Sequence, residues 1–444
     1  MIVSVGRMMR KGGGGLIWPK GLKESIKAIY DPKKQGITNF DVIESYTEDF
    51  TTWRYSDSRG TAAVTPNKIT ITESFDTTNI VEDVEEPYSD ISIYVTGVSE
   101  DVPLVVRDIT GNKAIITKDG KYDFSKNSRF MGFAINKILS NINVVISLLP
   151  TSILKDLSGN GNHAYLYGGK GKLNSGMGLY KVDFTSWRKS SVQTEVKPDV
   201  VKVTPNTSNY LFIQYASSAE IPSYKIKVIG LGDNVLKYQY ATENGRKEIN
   251  IVEGENELPT SIKVSNDYQI GYRLTPGTSV FTITQIPDYP DQLCYDGKMY
   301  AVCYGFPILT DYTVMAERTW FEKEEYSAFI SNSLGGMEDP SNGAFSVELK
   351  SLNSFTTISF GSITSIGIPE KGITYQTKQS YNGNSINVGT KESNDILILG
   401  GRYFYKNDNA AGNTWTGCHG AIIIADRSFT EDEITWLKDN LFRK

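Results

Sequence analysis

An internal repeat constrains the fold of this chain more than any other feature of its sequence. The segment Asp49–Trp53, with the sequence DFTTW, returns as DFTSW at Asp183–Trp187, an offset of 134 residues. Because the offset stays nearly constant over separated matches, we expect two copies of one folding unit within residues 17–287. Two further pairs of segments keep similar offsets, 133 and 137 residues: Ile91–Gly97 with Tyr224–Gly230, and Ser147–Pro150 with Thr284–Pro287.

Each copy combines a loop-rich leader, which ends in the D-F-T-x-W segment, with a series of short alternating strands. Segments such as Lys68–Glu73 and Lys247–Val252 alternate apolar and polar residues, and turn signals such as Asp119-Gly120 and Glu253-Gly254 lie between them. The chain also has 26 Tyr, 18 Phe and 40 Gly but only 2 His, a composition typical of strands and tight turns. We therefore predict an all-β chain in which each repeat forms an immunoglobulin-like β-sandwich.

The character of the sequence changes near Asp288, after which longer aromatic strands lead to one helix at the C-terminal end. Thr430 and Glu433 form a capping box, which marks the start of this helix. Ile434, Leu437 and Leu441 follow with helical spacing, so we expect this apolar stripe to pack on the last sheet.

Two segments on either side of the second repeat resemble parts of laminin-G-like and concanavalin-A-like jelly rolls. They are Lys155–Ala164 (KDLSGNGNHA), which resembles an opening strand and turn, and Gly420–Ile434, which resembles a last strand running into a helix. Asp296–Tyr300 and Leu309–Val314 resemble inner strands of the same fold. The resemblance implies a jelly roll that starts near residue 151, is interrupted by the second sandwich and resumes near residue 288.

These observations predict a multidomain, all-β chain: two immunoglobulin-like β-sandwiches plus a C-terminal laminin-G/concanavalin-A-like jelly roll with a short closing α-helix. The predicted divisions are a flexible N-terminal arm (1–20), a leader with the first β-sandwich (21–150), a leader with the first strands of the jelly roll (151–190), the inserted second β-sandwich (191–287), and the remainder of the jelly roll with its helix (288–444).

A second resemblance concerns function. Tyr30–Asn39 (YDPKKQGITN), together with the D-F-T-x-W segments and the split jelly roll, is similar to virion proteins of crAss-like phages of Bacteroidales. It implies a non-enzymatic structural protein, a head (capsid) fibre or else a tail fibre subunit, that forms a homo-oligomer with a trimer favoured. Such a protein is assembled in the host cytoplasm and released by lysis. It contacts other virion proteins, such as capsid or portal-region components. It is anchored to the particle by its N-terminal side and displays its C-terminal jelly roll for attachment to the host surface or a glycan.

A bacterial cell-surface carbohydrate-binding adhesin is the alternative from a different class, and a polysaccharide-degrading enzyme is a third. The sequence begins with MIVSVGRMMRKGGGG, which lacks the apolar core of a secretory signal, and we expect no membrane insertion because no apolar run is long enough. The net charge of −5 argues against nucleic-acid binding. Four consecutive glycines after the basic residues Arg7–Lys11 predict a flexible arm.

Catalytic motifs are absent from the sequence. It contains no nucleophile elbow, zinc-binding helix or phosphate-binding loop. Cys418 and His419 are adjacent, but neighbouring residues on a strand point to opposite faces and cannot act as nucleophile and base. We therefore expect no enzymatic activity and no cofactor, although paired carboxylates on a concave sheet would suffice for glycoside hydrolysis.

The segment Asp156–Asn162 has oxygen-bearing side chains at spacings that resemble a calcium loop. Position twelve is Tyr167 rather than an acidic residue. Turn-forming residues account for the same pattern without a cation, so we predict no metal site.

A glycan site would need exposed aromatic rings beside polar side chains. The segment Arg402–Asn409 and the nearby Trp415 supply both, in a loop rich in asparagine and glycine. The candidate glycan-binding residues are Tyr403, Tyr405, Asn407 and Trp415. The alternative is that these rings are core or cross-strand residues.

Overall fold

A computed structural model describes this chain over most of its length. The described residues are 18–37, 42–83, 90–108, 111–125, 131–171, 180–187, 193–205, 211–214, 220–263, 270–334, 343–351, 353–405 and 410–442. The first 17 residues of the predicted N-terminal arm lie outside them.

The elements follow one another along the chain in five groups. The first group is α1 (Leu22–Ser25), β1 (Ile26–Tyr30) and α2 (Pro32–Gln35). The first sandwich follows a 3-10 turn (Phe50–Thr52) and contains β2 (Arg54–Tyr55), β3 (Gly60–Thr65), β4 (Lys68–Ser74), β5 (Val81–Asp83), β6 (Ile91–Thr96), β7 (Leu104–Asp108), β8 (Gly111–Ile116), β9 (Gly120–Phe124), β10 (Met131–Ile135) and β11 (Val144–Leu148).

The next two groups are a strand pair and the second sandwich. The strand pair is β12 (Ile153–Leu154) and β13 (Ala164–Tyr167). The second sandwich follows another 3-10 turn (Phe184–Ser186) and contains β14 (Gln193–Val196), β15 (Val200–Val203), β16 (Leu211–Gln214), β17 (Tyr224–Ile229), β18 (Val235–Thr242), β19 (Gly245–Ile251), β20 (Gly254–Leu258), β21 (Gly271–Thr275) and β22 (Phe281–Ile286).

The last group completes what we call the large sandwich, which consists of β1, β12, β13 and all strands from β23 onward. Its later strands are β23 (Leu293–Asp296), β24 (Tyr300–Tyr304), β25 (Thr313–Trp320), β26 (Ala328–Leu334), β27 (Gly343–Ser351), β28 (Ser354–Ser359), β29 (Ser362–Ile366), β30 (Lys371–Thr377), β31 (Ser380–Tyr381), β32 (Asn384–Ser385), β33 (Ile396–Leu399), β34 (Tyr403–Tyr405), β35 (Ala410–Gly412) and β36 (Thr416–Ala425). The chain then forms α3 (Glu431–Leu437), which continues as a π-helical turn, Lys438–Phe442.

The all-β, multidomain fold predicted from the sequence is confirmed. Sheet order shows which type of sandwich each repeat forms. The first sandwich has the sheets β3-β4-β11-β6-β9 and β2-β5-β10-β7-β8, and the second has β14-β15-β22-β17-β20 and β16-β21-β18-β19. Apart from the short β2, the strands of the two repeats correspond one to one in both sheets, which confirms the internal repeat.

This strand order corrects the immunoglobulin-like topology expected for the two sandwiches. Counting from β4 to β11 as B to I, the sheets are B-I-D-G, flanked by an extra strand, and C-H-E-F. In an immunoglobulin domain the corresponding sheets are A-B-E-D and C-F-G. The observed order is that of an eight-stranded double Greek key jelly roll. Strand spacing and turn signals determine how many strands form, but not which strands become neighbours, so the sequence pattern could not separate the two topologies.

The repeated D-F-T-x-W segment has the same role in both sandwiches. Asp49 caps its 3-10 turn by accepting a hydrogen bond from the Thr51 backbone N–H, as Asp183 does from Thr185. In the first sandwich the following Trp53 is buried and stacks on Phe133, with ring centroids 5.6 Å apart. In the second, the corresponding pair is Trp187 and Tyr272, 5.7 Å apart. The D-F-T-x-W ends of the two leaders are therefore part of the sandwich cores.

The large sandwich begins earlier in the chain than the sequence indicated. β1 pairs with the second half of β36, from Ile422 to Ala425, while β23 pairs with the first half. The prediction that residues 21–150 form one unit is therefore wrong at its start, because β1 belongs to the large sandwich. Both small sandwiches interrupt the large one, the first between β1 and β12 and the second between β13 and β23. The first and last strands of the large sandwich, β1 and β36, are therefore neighbours in one sheet.

The two sheets of the large sandwich enclose one apolar core, and part of each outer face is also covered. The order of one sheet is β1-β36-β25-β30-β31-β32, with β23 also on β36, and the order of the other is β12-β13-β24-β33-β26-β27-β28-β29, with β34 beside β26. As predicted, α3 has a capping box at Thr430, and Ile434 and Leu437 pack on the first of these sheets. On the second, Tyr94 of the first sandwich contacts Tyr304, with ring centroids 4.5 Å apart.

Candidate functional site

The aromatic residues predicted to bind a glycan do not form one surface. Trp415 is fully buried in the core of the large sandwich, where its ring contacts Phe329 at 5.0 Å and Tyr295 at 5.4 Å. A buried indole cannot stack on a sugar, so the prediction for Trp415 is wrong. Trp415 directly precedes β36, and its ring packs inside the core of the large sandwich.

The remaining candidates are on or next to β34. Tyr403 is only 7% exposed, and the Arg402 guanidinium lies 4.5 Å from its ring centroid. Because little of the Tyr403 ring is exposed and the Arg402 cation lies over one of its faces, the prediction that Tyr403 binds a glycan is also wrong. Tyr405 is half-buried and lies against Gly412. Asn407 lies outside the described residues.

The segment that resembles a calcium loop ties two parts of the large sandwich together. The Asp156 carboxylate accepts hydrogen bonds from the backbone N–H groups of Ile29, Ser158 and Asn162, and from the Ser158 hydroxyl, at 2.8–3.1 Å. The Asn162 side-chain amide donates to the Lys27 carbonyl oxygen at 2.7 Å. These contacts attach the loop to β1 and use the carboxylate oxygens that a cation would need. Within the described ranges, no group of three His, Cys, Asp or Glu side chains is placed to hold a metal.

His419 makes hydrogen bonds inside the core of the large sandwich. His419 is fully buried, its Nδ1 lies 2.7 Å from the Gly420 carbonyl oxygen, and its Nε2 lies 3.1 Å from the Tyr295 hydroxyl. These partners assign the proton to Nδ1, and burial lowers the pKa of His419 to about 4. Cys418 lies on the opposite face of β36, near Gln292. The prediction that Cys418 and His419 point apart is confirmed.

A different feature distinguishes the surface of the second sandwich. We call it the tip: the end of the sandwich formed by the turns between β17 and β18, β19 and β20, and β21 and β22. The chain enters and leaves at the opposite end. Four aliphatic side chains at this tip are 47–58% exposed: Ile229, Val235, Val252 and Val280.

Carboxylate and amide groups bind the three turns of the tip to one another. Glu253 accepts hydrogen bonds from the backbone N–H groups of Gly230 and Leu231, at 3.0 and 2.8 Å. Asp233 accepts from Thr278 and Ser279, at 2.9 and 3.1 Å. These hydrogen bonds lower the pKa of Asp233 to about 2, and the bond from the Thr278 backbone N–H has the largest effect.

Asn234 adds a third connection, since its amide donates to the Ser279 carbonyl oxygen at 2.8 Å. Each of the four exposed aliphatic residues is adjacent in sequence to a residue that makes one of these bonds. The tip is therefore a preorganised surface, in which little conformational freedom remains to be lost on binding.

The first sandwich has a corresponding tip. Asp119, which precedes Gly120 as Glu253 precedes Gly254, accepts a hydrogen bond from the Val98 backbone N–H at 3.2 Å. Ile138 is 72% exposed and Phe75 is 47% exposed at the same end. The acidic residue before glycine was visible in the sequence as a turn signal. Its bond to a distant turn was not, because that contact depends on the strand order.

Comparisons with known proteins do not place this chain in a family. No family model and no curated protein matches it. A solved structure of Trypanosoma rangeli sialidase in complex with the inhibitor DANA is similar, with 10% identity and a TM-score of 0.23 over 89% of this chain and 85% of that chain. A single-residue variant of oxalate decarboxylase from Bacillus subtilis has 8% identity and a TM-score of 0.14 over 56% of this chain and 78% of that chain. At these TM-scores neither similarity bears on fold or function.

Among the described residues, no helix combines the length and the apolar character that a membrane crossing requires.

Proposed function

We propose that this chain is a non-enzymatic structural protein of a bacteriophage virion, a head fibre subunit or else a tail fibre subunit. It assembles with copies of itself, with a trimer favoured, and contacts other virion proteins. The observation that carries the proposal is the B-I-D-G and C-H-E-F strand order in both small sandwiches, which is the jelly-roll architecture of viral capsid domains, lectin domains and cupins. The resemblance of the leader segments to virion proteins of crAss-like phages supports the same class.

The way the domains are joined suits a structural subunit. Each small sandwich is inserted into the large one through two chain connections, and the first is also packed on it through Tyr94, Tyr304 and Phe404. The leader residues Trp53 and Trp187 lie inside the sandwich cores. A domain inserted through two connections is held more closely than one joined by a single linker, and this favours a structural subunit.

The tips are the surfaces through which we expect subunits to associate. Among the described residues of the second sandwich's tip, the exposed apolar side chains are aliphatic, and aliphatic groups offer no ring for stacking on a sugar. The carboxylates of Asp233 and Glu253 are engaged within the tip. An apolar surface of fixed shape fits a protein partner, and in a homo-oligomer that partner is a second copy.

Catalysis has little support from the described side chains. His163 Nδ1 accepts a hydrogen bond from the Asp156 backbone N–H, and His419 is fully buried and neutral. Three carboxylates accept hydrogen bonds from backbone or core groups and thereby hold these groups in place: those of Asp156, Asp233 and Glu348.

Two experiments test the proposal. Mass spectrometry of gradient-purified phage particles whose genome encodes this chain should detect it at a fixed ratio to the capsid protein after nuclease and salt washing. Its absence from the particles would contradict the virion assignment. To locate the subunit contact, Val252→Asp combined with Val280→Asp should reduce the native mass to that of a monomer. Ile308→Asp, at a residue that is 63% exposed on the large sandwich, is the control and should leave the mass unchanged.

A further inference from the structure

Cys294 on β23 and Cys418 on β36 lie directly opposite each other in an antiparallel strand pair. In the same register, the Gly297 backbone N–H donates to the Trp415 carbonyl oxygen at 3.2 Å, so that position is a hydrogen-bonded pair. Hydrogen-bonded and non-hydrogen-bonded pairs alternate along antiparallel strands, so the cysteines occupy a non-hydrogen-bonded pair. Cα atoms in such a pair are about 4.5 Å apart, which lies within the roughly 4.4–6.8 Å that a disulfide requires.

Both cysteine side chains lie on the outer face of their sheet. Their neighbours Leu293 and Tyr295 belong to the core, and His419 contacts Tyr295 there. Because side chains alternate along a strand, Cys294 and Cys418 point away from that core on the same side. The two thiols are therefore placed side by side and not separated by the sheet.

The outer face is nevertheless closed at this point. Cys294 and Cys418 have no exposed surface, and Gln292 contacts the Cys418 sulfur at 2.8 Å. Tyr289 lies near both cysteines, and burial and these neighbours raise its pKa. The Tyr289 ring packs on Phe321 at 4.9 Å. Tyr289 and Gln292 belong to the segment through which the chain returns from the second sandwich to β23, whereas Phe321 directly follows β25.

The third cysteine provides a natural comparison. Cys303 lies on β24, in the other sheet, and its side chain belongs to the core beside Tyr30. Burial raises the pKa of Cys303 to about 12. Its cross-strand partner is Leu397, so it has no cysteine opposite it.

We propose that Cys294 and Cys418 form an intrachain disulfide once the protein leaves a reducing compartment. The oxidant is a small-molecule disulfide. One cysteine thiolate attacks it, a mixed disulfide forms and one small thiol leaves. The second cysteine thiolate then displaces the other small thiol, so two protein thiols are oxidised and one small disulfide is reduced to two thiols.

The bond would join β23, the first strand after the second sandwich, to the last strand of the large sandwich. It would fix the root of the second sandwich covalently. Disulfides persist in oxidising surroundings and are rare in the cytosol. The timing, formation after release from the host, rests on the proposed function, but the bond itself does not.

The test counts alkylatable thiols in the full chain. The reduced protein is equilibrated in an oxidised glutathione buffer, quenched with acid, unfolded and treated with N-ethylmaleimide, and its intact mass is measured. We expect one adduct where the reduced protein has three, and a peptide in which Cys294 is linked to Cys418. The Cys303→Ser variant should have no adduct, whereas Cys294→Ser and Cys418→Ser should each keep two.

A second experiment removes the effect of burial on the reaction of the thiols. In it, the full chain is unfolded in urea and refolded in the same buffer. The oxidised protein should also unfold at a higher temperature than the reduced one, since the bond restricts the unfolded chain. Three adducts after refolding, or a bond to Cys303, would overturn the proposal. Neither result would affect the virion assignment, which the composition of purified particles tests separately.

Discussion

Arg318 and Glu348 form an ion pair between the two sheets of the large sandwich, and both side chains are fully buried. The Arg318 Nε atom lies 2.6 Å from one Glu348 carboxylate oxygen, and its Nη2 atom lies 3.0 Å from the other. Trp320, Thr374 and Tyr381 donate further hydrogen bonds to the same carboxylate. The acidic side chain thus connects strands of both sheets.

Removing one partner of this pair should destabilise the folded protein, because the charge of the other partner would stay buried without an opposite charge beside it. We predict that Arg318→Ala and Glu348→Ala each lower the free energy of unfolding by about 3–5 kcal/mol. The double variant should lose little more than either single variant, since the charges are then removed together. Urea unfolding of all four proteins measures this coupling. Additive losses would contradict the account.

The two leader tryptophans should stabilise their own sandwiches independently. Trp53→Ala and Trp187→Ala each remove a buried ring that stacks on an aromatic partner, so each should cost about 3–5 kcal/mol. Hydrogen exchange followed by mass spectrometry should show faster exchange in the first sandwich for Trp53→Ala and in the second for Trp187→Ala. Trp436→Ala, on the closing helix, is the control and should change neither. Faster exchange in both sandwiches with either variant would contradict the separate cores.

Stability should depend on pH through His419. Burial lowers the pKa of His419 from 6.5 to about 4, so between these values the unfolded chain binds a proton that the folded chain does not. Stability should therefore fall as the pH is lowered from about 6.5 to about 4, by about 3 kcal/mol. Because carboxyl groups also titrate in this range, the measurement is the difference in pH dependence between the native protein and His419→Gln. An equal dependence in both proteins would contradict a buried neutral imidazole.

The loop around Asp156 should respond to substitution but not to calcium. Asp156→Ala removes the acceptor for Ile29, Ser158 and Asn162, so the loop should separate from β1 and the unfolding temperature should fall. For the native protein, calorimetry with excess calcium and with chelator should give the same unfolding temperature. A rise on adding calcium that Asp156→Ala abolishes would show a cation site.

The sequence predicted features that depend on local or repeated patterns. The repeat was visible because both copies keep an acidic cap, a phenylalanine and a tryptophan, and the structure places Trp53 and Trp187 in equivalent positions. The closing helix was visible because Thr430 and Glu433 interact over one helical turn. Such contacts join residues that are close in sequence.

Features that depend on distant contacts were not predictable in the same way. The pairing of β1 with β36 joins two segments that lie far apart in the sequence, and alternation of residues does not specify which strands pair. Trp415 follows a segment rich in asparagine and glycine, which is typical of an exposed loop. Its burial follows from contacts with residues that are distant in the sequence. Glu348 has a φ of 57° and lies where the register of β27 against β28 shifts, between Ser346 and Leu349, so its inward direction does not follow from strand alternation.

The native mass of the purified full-length protein, measured by light scattering over a range of concentrations, tests most directly whether this chain is a self-assembling structural subunit. We predict a stable mass near three times 49.3 kDa, which should persist in a variant that lacks residues 1–15 because the tips belong to the folded sandwiches. A mass of 49.3 kDa at every concentration would contradict self-assembly and would favour the carbohydrate-binding adhesin.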